Sequence, residues 1–429
     1  MVKFRRFIEF IKDKIISELG IDKMSKEFNT FSIIHLGFLM FYTLQLVFMN
    51  TLLRRFSDGN TTIFIYNMLF FSFIPVGMTL SVFSIKQKSS IFTMQSSIWL
   101  WIGILITTLS LIIIKQLHHF WILLAIVSSI ANGCYWIAYY MSLTDYTDMK
   151  NRDIGLAIIW VCTGVANIIV PILGGYFIKL FSDFTGYIIM FSSAFLVAIL
   201  CIIKSYKLVP DNHNKFDDPR VYIMESLRSI IFNKIWLYSS LIEFFRGIRD
   251  GVFIFLLNVL IFSVSSNESL VGINAFIAGI INVISNWLLG KLLYKDPKKD
   301  NRIKLLIIAV SSLLISSFLL LVNINITLLI IMTCINAFFS IYIQNISQSI
   351  FCMSIQLNPD AMKLRSESFV LKSYFLAIGR LLGILFFIFL PETNFYIVLG
   401  IVILNIVQIG TIITSKKTID LVKDMCSLT

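Results

Sequence analysis

The chain has 429 residues, 57% of them hydrophobic and 14% charged, with a formal net charge of +12 and a mean hydropathy of +0.85. A soluble domain carries roughly 25% charged residues, so this composition excludes a soluble enzyme or nucleic-acid-binding domain and predicts an all-α polytopic membrane protein. The lysines and arginines are spread over short segments between apolar runs instead of forming one patch, which marks topology and not a nucleic-acid surface.

Residues 1–27 form a basic amphipathic segment. Phe4, Ile8, Ile11, Ile15 and Leu19 share one helical face without the continuous apolar core of a cleavable signal, so the segment is expected on the membrane surface. Apolar runs long enough to cross a bilayer follow near 28–53, 61–84, 92–114, 120–142, 154–178 and 186–203, and resume near 235–262, 270–293, 303–322, 326–350, 367–390 and 395–414. Numbered as spans 1 to 12, they predict a six-helix bundle over 28–203 and a second over 235–414. Between them lies a hydrophilic linker, 204–234, with a surface helix from Arg220 to Phe232, and a tail covers 415–429.

With the N-terminus inside, 28 of the 36 basic residues fall in cytoplasmic segments, four in exterior loops and four within spans 7 and 11. Both termini are therefore expected on the cytoplasmic side of the plasma membrane. The halves also repeat. Gly77 ends span 2 as Gly290 ends span 8, and Arg152 precedes span 5 as Arg365 precedes span 11; Asn50 in FMNTLL answers Asn258 in LLNVLI. Span n thus matches span n+6 in the same orientation, a parallel repeat.

Twelve spans, a parallel six-plus-six repeat and a cytoplasmic linker together resemble the major facilitator superfamily, over residues from about 28 to 414. Gly155, Gly164 and then Pro171-Ile172-Leu173-Gly174-Gly175 in span 5 resemble the Gly/Pro motif of proton-linked exporters, with Val170 where that motif has a glycine. The resemblance marks Gly164, Pro171, Gly174 and Gly175 as a conformational motif. Of the family's loop after span 2, only Gly77, Lys86 and Lys88 remain, whereas GKLLYKDPKKDNR after span 8 keeps Gly290, Asp296 and a basic run. The resemblance implies two bundles rocking about a central site lined by spans 1, 4, 7 and 10.

Span 7, IWLYSSLIEFFRGIRDGVFIFLLNVLIF, carries the residues most costly to place in lipid. Glu243, Arg246 and Asp250 form one helical stripe that Asn258 extends, with Arg249 to one side. Each charge costs about 2.5–3.5 kcal/mol or more at bilayer depth unless paired or wetted, so the cluster is either a buried ion-pair network or a substrate and coupling site. Span 11 adds Lys372 and Arg380, and Gly379 and Gly383 around Arg380 offer a face for close helix approach. Four cations against two carboxylates leave room for an anionic ligand, although Lys372 is expected to reach water and reduce the surplus to one. Polar stripes on spans 4 and 10, equivalent under the repeat, suggest cavity walls: Asn132, Tyr135, Tyr139 and Ser142 on one, Asn336, Ser340, Gln344 and Gln348 on the other. Asn274, Asn282 and Asn286 of span 8 are more scattered and read as structural, as does the lone His35 of span 1.

The six cysteines show no metal spacing, and no metal or cofactor is expected. There is no phosphate loop and no catalytic set, so neither ATP as an energy source nor an enzyme is expected. The expected function is a secondary transporter of a small organic, anionic or amphiphilic solute, with H+ as a candidate coupling ion. A proton-linked exporter of amphiphilic drugs or lipids, and a transporter-like receptor or assembly partner that moves nothing, stand as alternatives.

Overall fold

The computed structural model describes residues 24–56, 61–114, 120–147, 152–181, 184–209, 220–294, 301–321, 324–356, 364–391 and 393–428. The apolar face from Phe4 to Leu19, linker residues 210–219 and Asp296 lie outside them. The described residues form helices joined by short turns, with no strand among them.

Spans 1 to 6 are Lys26–Phe56, Thr61–Gln87, Ser90–Ile113, Trp121–Asp145, Arg152–Leu180 and Thr185–Ser205. The linker helix is Ile223–Phe232. Spans 7 to 12 are Lys234–Ser265, Glu268–Tyr294, Arg302–Phe318 with the 3-10 turn Leu319–Leu321, Ile326–Gln356, Arg365–Ile388, and the pair Asn394–Val407 and Ile409–Leu428. Eleven of the described spans are long and apolar enough to cross a membrane. Span 9, whose α-helix has only 17 residues, completes the expected twelve through its 3-10 extension.

Local chemistry sets the ends. The Ser89 hydroxyl accepts the Phe92 amide, and the Asn233 side chain accepts the Trp236 amide, which caps helix N-termini that have no preceding turn. Span 2 breaks at Phe73 just before Pro75, whose nitrogen cannot donate to a preceding turn. Span 7 stops at Ser266, which takes a left-handed φ of 50° and turns the chain straight into span 8. Residues 415–428, expected as a tail, instead continue span 12. Ser415, Thr418, Ile419 and Val422 are buried there, so their burial stabilises the extra turns.

The parallel repeat has a physical counterpart. Asn67 of span 2 donates to Asn50 of span 1 at 2.7 Å, and Asn274 of span 8 donates to Asn258 of span 7 at 3.2 Å. Equivalent helix pairs in the two bundles are thus clamped by equivalent amides. This satisfies polar groups that lipid would leave stranded.

Close approach of backbones joins the helices around the centre. A Cβ on Gly379 would collide with the Phe244 carbonyl and one on Gly383 with the Ile248 carbonyl, so spans 7 and 11 pack as tightly as the glycine spacing suggests. Gly175 of span 5 abuts Gly272 of span 8, and a Cβ on Gly164 would meet Val283 at 2.7 Å. Gly174 faces Phe48 and Met190. Gly164 and Gly175 therefore sit at the seam between bundles and permit close packing there, whereas Gly174 packs within the N-terminal bundle. Outside, Ile106, Leu196, Leu200, Ile203, Ile315 and Phe389 project away from the protein and form a lipid-facing surface.

Candidate functional site

Span 7 brings its charged residues to three different neighbours. Glu243 is fully buried; it accepts from Arg246 at 2.5 Å and lies 3.5 Å from the Lys372 ammonium of span 11. Lys372 is 6% exposed and also donates to Gln348 of span 10, so the expectation that it reaches water is corrected. The carboxylate holds it inside, because an ammonium removed from water needs an anionic partner.

Asp250 is held differently. Its carboxylate lies 3.7 Å from Arg246 and 4.0 Å from Arg249, and its side chain is 23% exposed. Glu243 is thus locked between two cations, while Asp250 is loosely paired and open to solvent or ligand.

Arg249, expected beside the substrate, is turned into the C-terminal bundle. It donates to Asn405 of span 12 at 2.7 Å and to Asn336 of span 10, and stacks 4.0 Å from the Phe253 ring. Asn336 is therefore occupied by Arg249, and Asn258 by Asn274. Asn286, one of the scattered span 8 amides, accepts from Asn345 of span 10 at 2.7 Å.

Arg380 faces the other way, across the seam. Its guanidinium lies 4.7 Å from the Phe71 ring of span 2, within electrostatic reach of Asp250, Arg246 and Tyr42. Tyr42 of span 1 stands beside Asn132 and Trp136 of span 4. The Asn132 amide is 1% exposed and has the Tyr42 hydroxyl as its polar neighbour. The Nε atoms of Arg246 and Arg380 are buried without an acceptor among the described residues. Tyr140 of span 4 completes the facing wall within electrostatic reach of Arg246. The centre thus combines surplus positive charge, one partly open carboxylate, aromatic faces and unused donors. That set suits an anionic or amphoteric organic molecule.

Tyr135 and Tyr139, expected to line a cavity, pack with span 1. Tyr135 shares a 3.1 Å hydrogen bond with His35 Nδ1, and the Tyr139 ring stacks on His35 at 4.5 Å. Phe31 and Phe38 extend the stack, which gives His35 the packing role read for it from the sequence. Gln344 is exposed on span 10.

Contacts bridge the bundles at both ends. At the linker end, Lys86 of span 2 pairs with Glu367 of span 11 at 2.5 Å, and Tyr140 stacks on Phe369 at 4.9 Å. At the far end, Arg55 of span 1 pairs with Glu268 of span 8, and Phe64 packs against Phe255 and Phe387. A cleft of about 40 Å³ lies there between Phe64, Phe255, Leu260 and Phe387. It is apolar and too small for an organic solute, so the charged centre is the better candidate site. Tyr42, Trp136 and Tyr140, and both end pairs, were not singled out in the sequence. The signal available was an acidic residue at the start of a span, Glu268 or Glu367, with a basic residue ending another.

Two helical bundles meeting about buried charge, and bridged at either end, are the architecture of a secondary transporter. The chain belongs to the Major Facilitator Superfamily, whose family profile matches residues 94–363. It is similar in fold to a bacterial homologue of the human lysosomal transporter Spinster, solved inward-facing and occupied (13% identity, TM-score 0.59, covering 91% of this chain and 94% of that one). The E. coli fucose:proton symporter (13% identity, TM-score 0.63, 91% and 98%) and a D-xylose–proton symporter (12% identity, TM-score 0.68, 91% and 96%) share the fold too. In sequence it is 23% identical over 274 residues to the uncharacterized protein YqgE of Bacillus subtilis, and the match spans 62% of this chain and 60% of that relative's length.

Proposed function

We propose that the protein moves a small organic solute, anionic or amphiphilic, by alternating access through the Arg246–Asp250–Arg380 centre, with H+ as the coupling ion at Asp250. One observation supports this reading best: the buried Nε atoms of Arg246 and Arg380 have no acceptor among the described residues where the two bundles face each other. A group left unsatisfied in a dry interior costs about 1–3 kcal/mol, and a bound ligand would supply the missing partners. The bridges at the two ends then act as alternate gates, each breaking when its side opens. Energy comes from a solute gradient and not from ATP.

Anionic ligands are expected to raise the melting temperature of the purified protein more than matched cationic ones. Arg380→Gln should remove that difference, because Arg380 rests on an aromatic ring and not on a carboxylate. A preference for lipophilic cations would sink the anionic reading and favour export of amphiphilic drugs or lipids, which the aromatic wall of Phe71, Trp136 and Tyr140 also suits.

The proposed orientation places both termini in the cytoplasm of a cell whose plasma membrane holds the protein. A maleimide that cannot cross membranes is expected to label Asn267→Cys, between spans 7 and 8, in intact cells. Glu225→Cys on the linker helix should label only after lysis. The reverse pattern would overturn the orientation.

A further inference from the structure

The linker helix Ile223–Phe232 has two unlike faces. Ser226 and Ile230 are buried, and Ile230 packs with Trp236, Phe351 and Leu371 on spans 7, 10 and 11. The outer face leaves Met224, Ile231 and Phe232 at 73%, 57% and 77% exposure, large apolar groups that no other described helix covers. Water is a poor environment for that much apolar surface on so short a helix.

Position indicates what covers it. A single residue, Asn233, separates Phe232 from span 7, so the helix is tethered at the level where a span enters the bilayer. Arg228 on the helix and Arg220 and Lys234 flanking it are exposed, and the Arg228 guanidinium lies 6.0 Å from the Phe232 ring. Glu225 is the one exposed acidic residue of the helix. Apolar side chains beside snorkelling cations match the boundary between acyl chains and anionic headgroups.

The residues leading into this helix hold the gate at the linker end. Lys86 of span 2 donates to the Arg220 carbonyl at 2.6 Å while paired with Glu367. The Tyr222 amide donates to the same Glu367 oxygen at 3.2 Å, and Lys86 lies 5.6 Å from the Tyr222 ring. The helix body thus rides on the C-terminal bundle, while its lead-in residues engage a lysine of the N-terminal bundle. Spans 2 and 11 cannot part at this end without releasing the linker from one of them.

We propose that the linker helix seats its outer face in an anionic lipid surface, and that this seating holds residues 220–222 on the Lys86–Glu367 pair. The membrane then acts as a ligand of the gate. Spin labels at Met224→Cys and Phe232→Cys, in proteoliposomes, report the seating without requiring transport. Both substituted side chains are exposed, so the variants retain the packing of the helix.

The label at either position is expected to be open to oxygen and shielded from a water-soluble nickel chelate, more so as phosphatidylglycerol replaces phosphatidylcholine. Neutralising Arg228 and Lys234 to Gln should weaken that lipid dependence by about fivefold per residue. In the Lys88→Cys/Met224→Cys pair, the inter-label distance should be short and narrow with phosphatidylglycerol and broader with phosphatidylcholine alone. Ready collision with the nickel chelate overturns the seating. Identical behaviour in the two lipids overturns the anionic recognition, and an unchanged distance distribution overturns the link to the gate.

Discussion

Asp250→Asn is expected to abolish accumulation of solute against its gradient while leaving the protein folded and able to exchange solute. The reason is the contrast between the two carboxylates of span 7. Glu243 is fully enclosed, with a 2.5 Å contact to Arg246 and Lys372 3.5 Å away. Those contacts lock it in place, and nothing in the arrangement exchanges them easily. Asp250 is 23% exposed, and its nearest cations lie at 3.7 and 4.0 Å, beyond good hydrogen-bond length. A small movement between spans would withdraw one of them, and a carboxylate that gains and loses a cation changes its affinity for a proton. The amide keeps the shape and removes the charge cycle. Proteoliposomes give the check: uptake driven by an imposed pH gradient against counterflow of labelled solute. Gradient-driven uptake that survives in a well-folded Asp250→Asn protein would place the proton elsewhere or remove it from the cycle.

Glu243→Gln should have the opposite profile, a loss of stability before any loss of coupling. Removing the charge leaves Arg246 and Lys372, both nearly buried, facing each other without their shared carboxylate. Breaking a buried ion pair by taking one partner costs about 3–5 kcal/mol, a large part of the stability of most folded domains. The variant is therefore expected to melt at much lower temperature in detergent, or to fail to accumulate in the membrane. Adding Lys372→Gln removes one stranded cation and should restore part of the loss, since Gln348 and the new amides can bond one another. A Glu243→Gln protein as stable as the parent would show that the network is not structural.

Much of the architecture was legible in the chain because lipid imposes a simple rule. Every backbone group must be satisfied within its own segment, so apolar runs become helices, and their number, order and repeat can be read by length alone. The composition, the twelve runs, the parallel halves, the close-packing role of Gly379 and Gly383 and the scattered span 8 amides all followed from that rule. The charged stripe of span 7 was legible too, since Glu243, Arg246 and Asp250 stand out at helical spacing in an apolar stretch.

The partners of those charges were settled by tertiary structure alone. A 100° rotation per residue places Arg249 beside the stripe, but only the packing of spans 10 and 12 sends it to Asn336 and Asn405 and away from the seam. Depth along a span suggested water for Lys372, whereas Glu243 on a neighbouring helix draws it inside. Tyr135 and Asn132 lie one turn apart on span 4, yet one is absorbed by His35 and the other faces Tyr42 at the centre. The end pairs Arg55–Glu268 and Lys86–Glu367 join residues 213 and 281 positions apart, a separation over which no local pattern carries information. Periodicity determines which face a residue occupies, because it follows from the geometry of one helix. Which neighbour that face meets depends on the crossing of two helices, and that is decided by side-chain fit and glycine contacts distributed over the whole bundle.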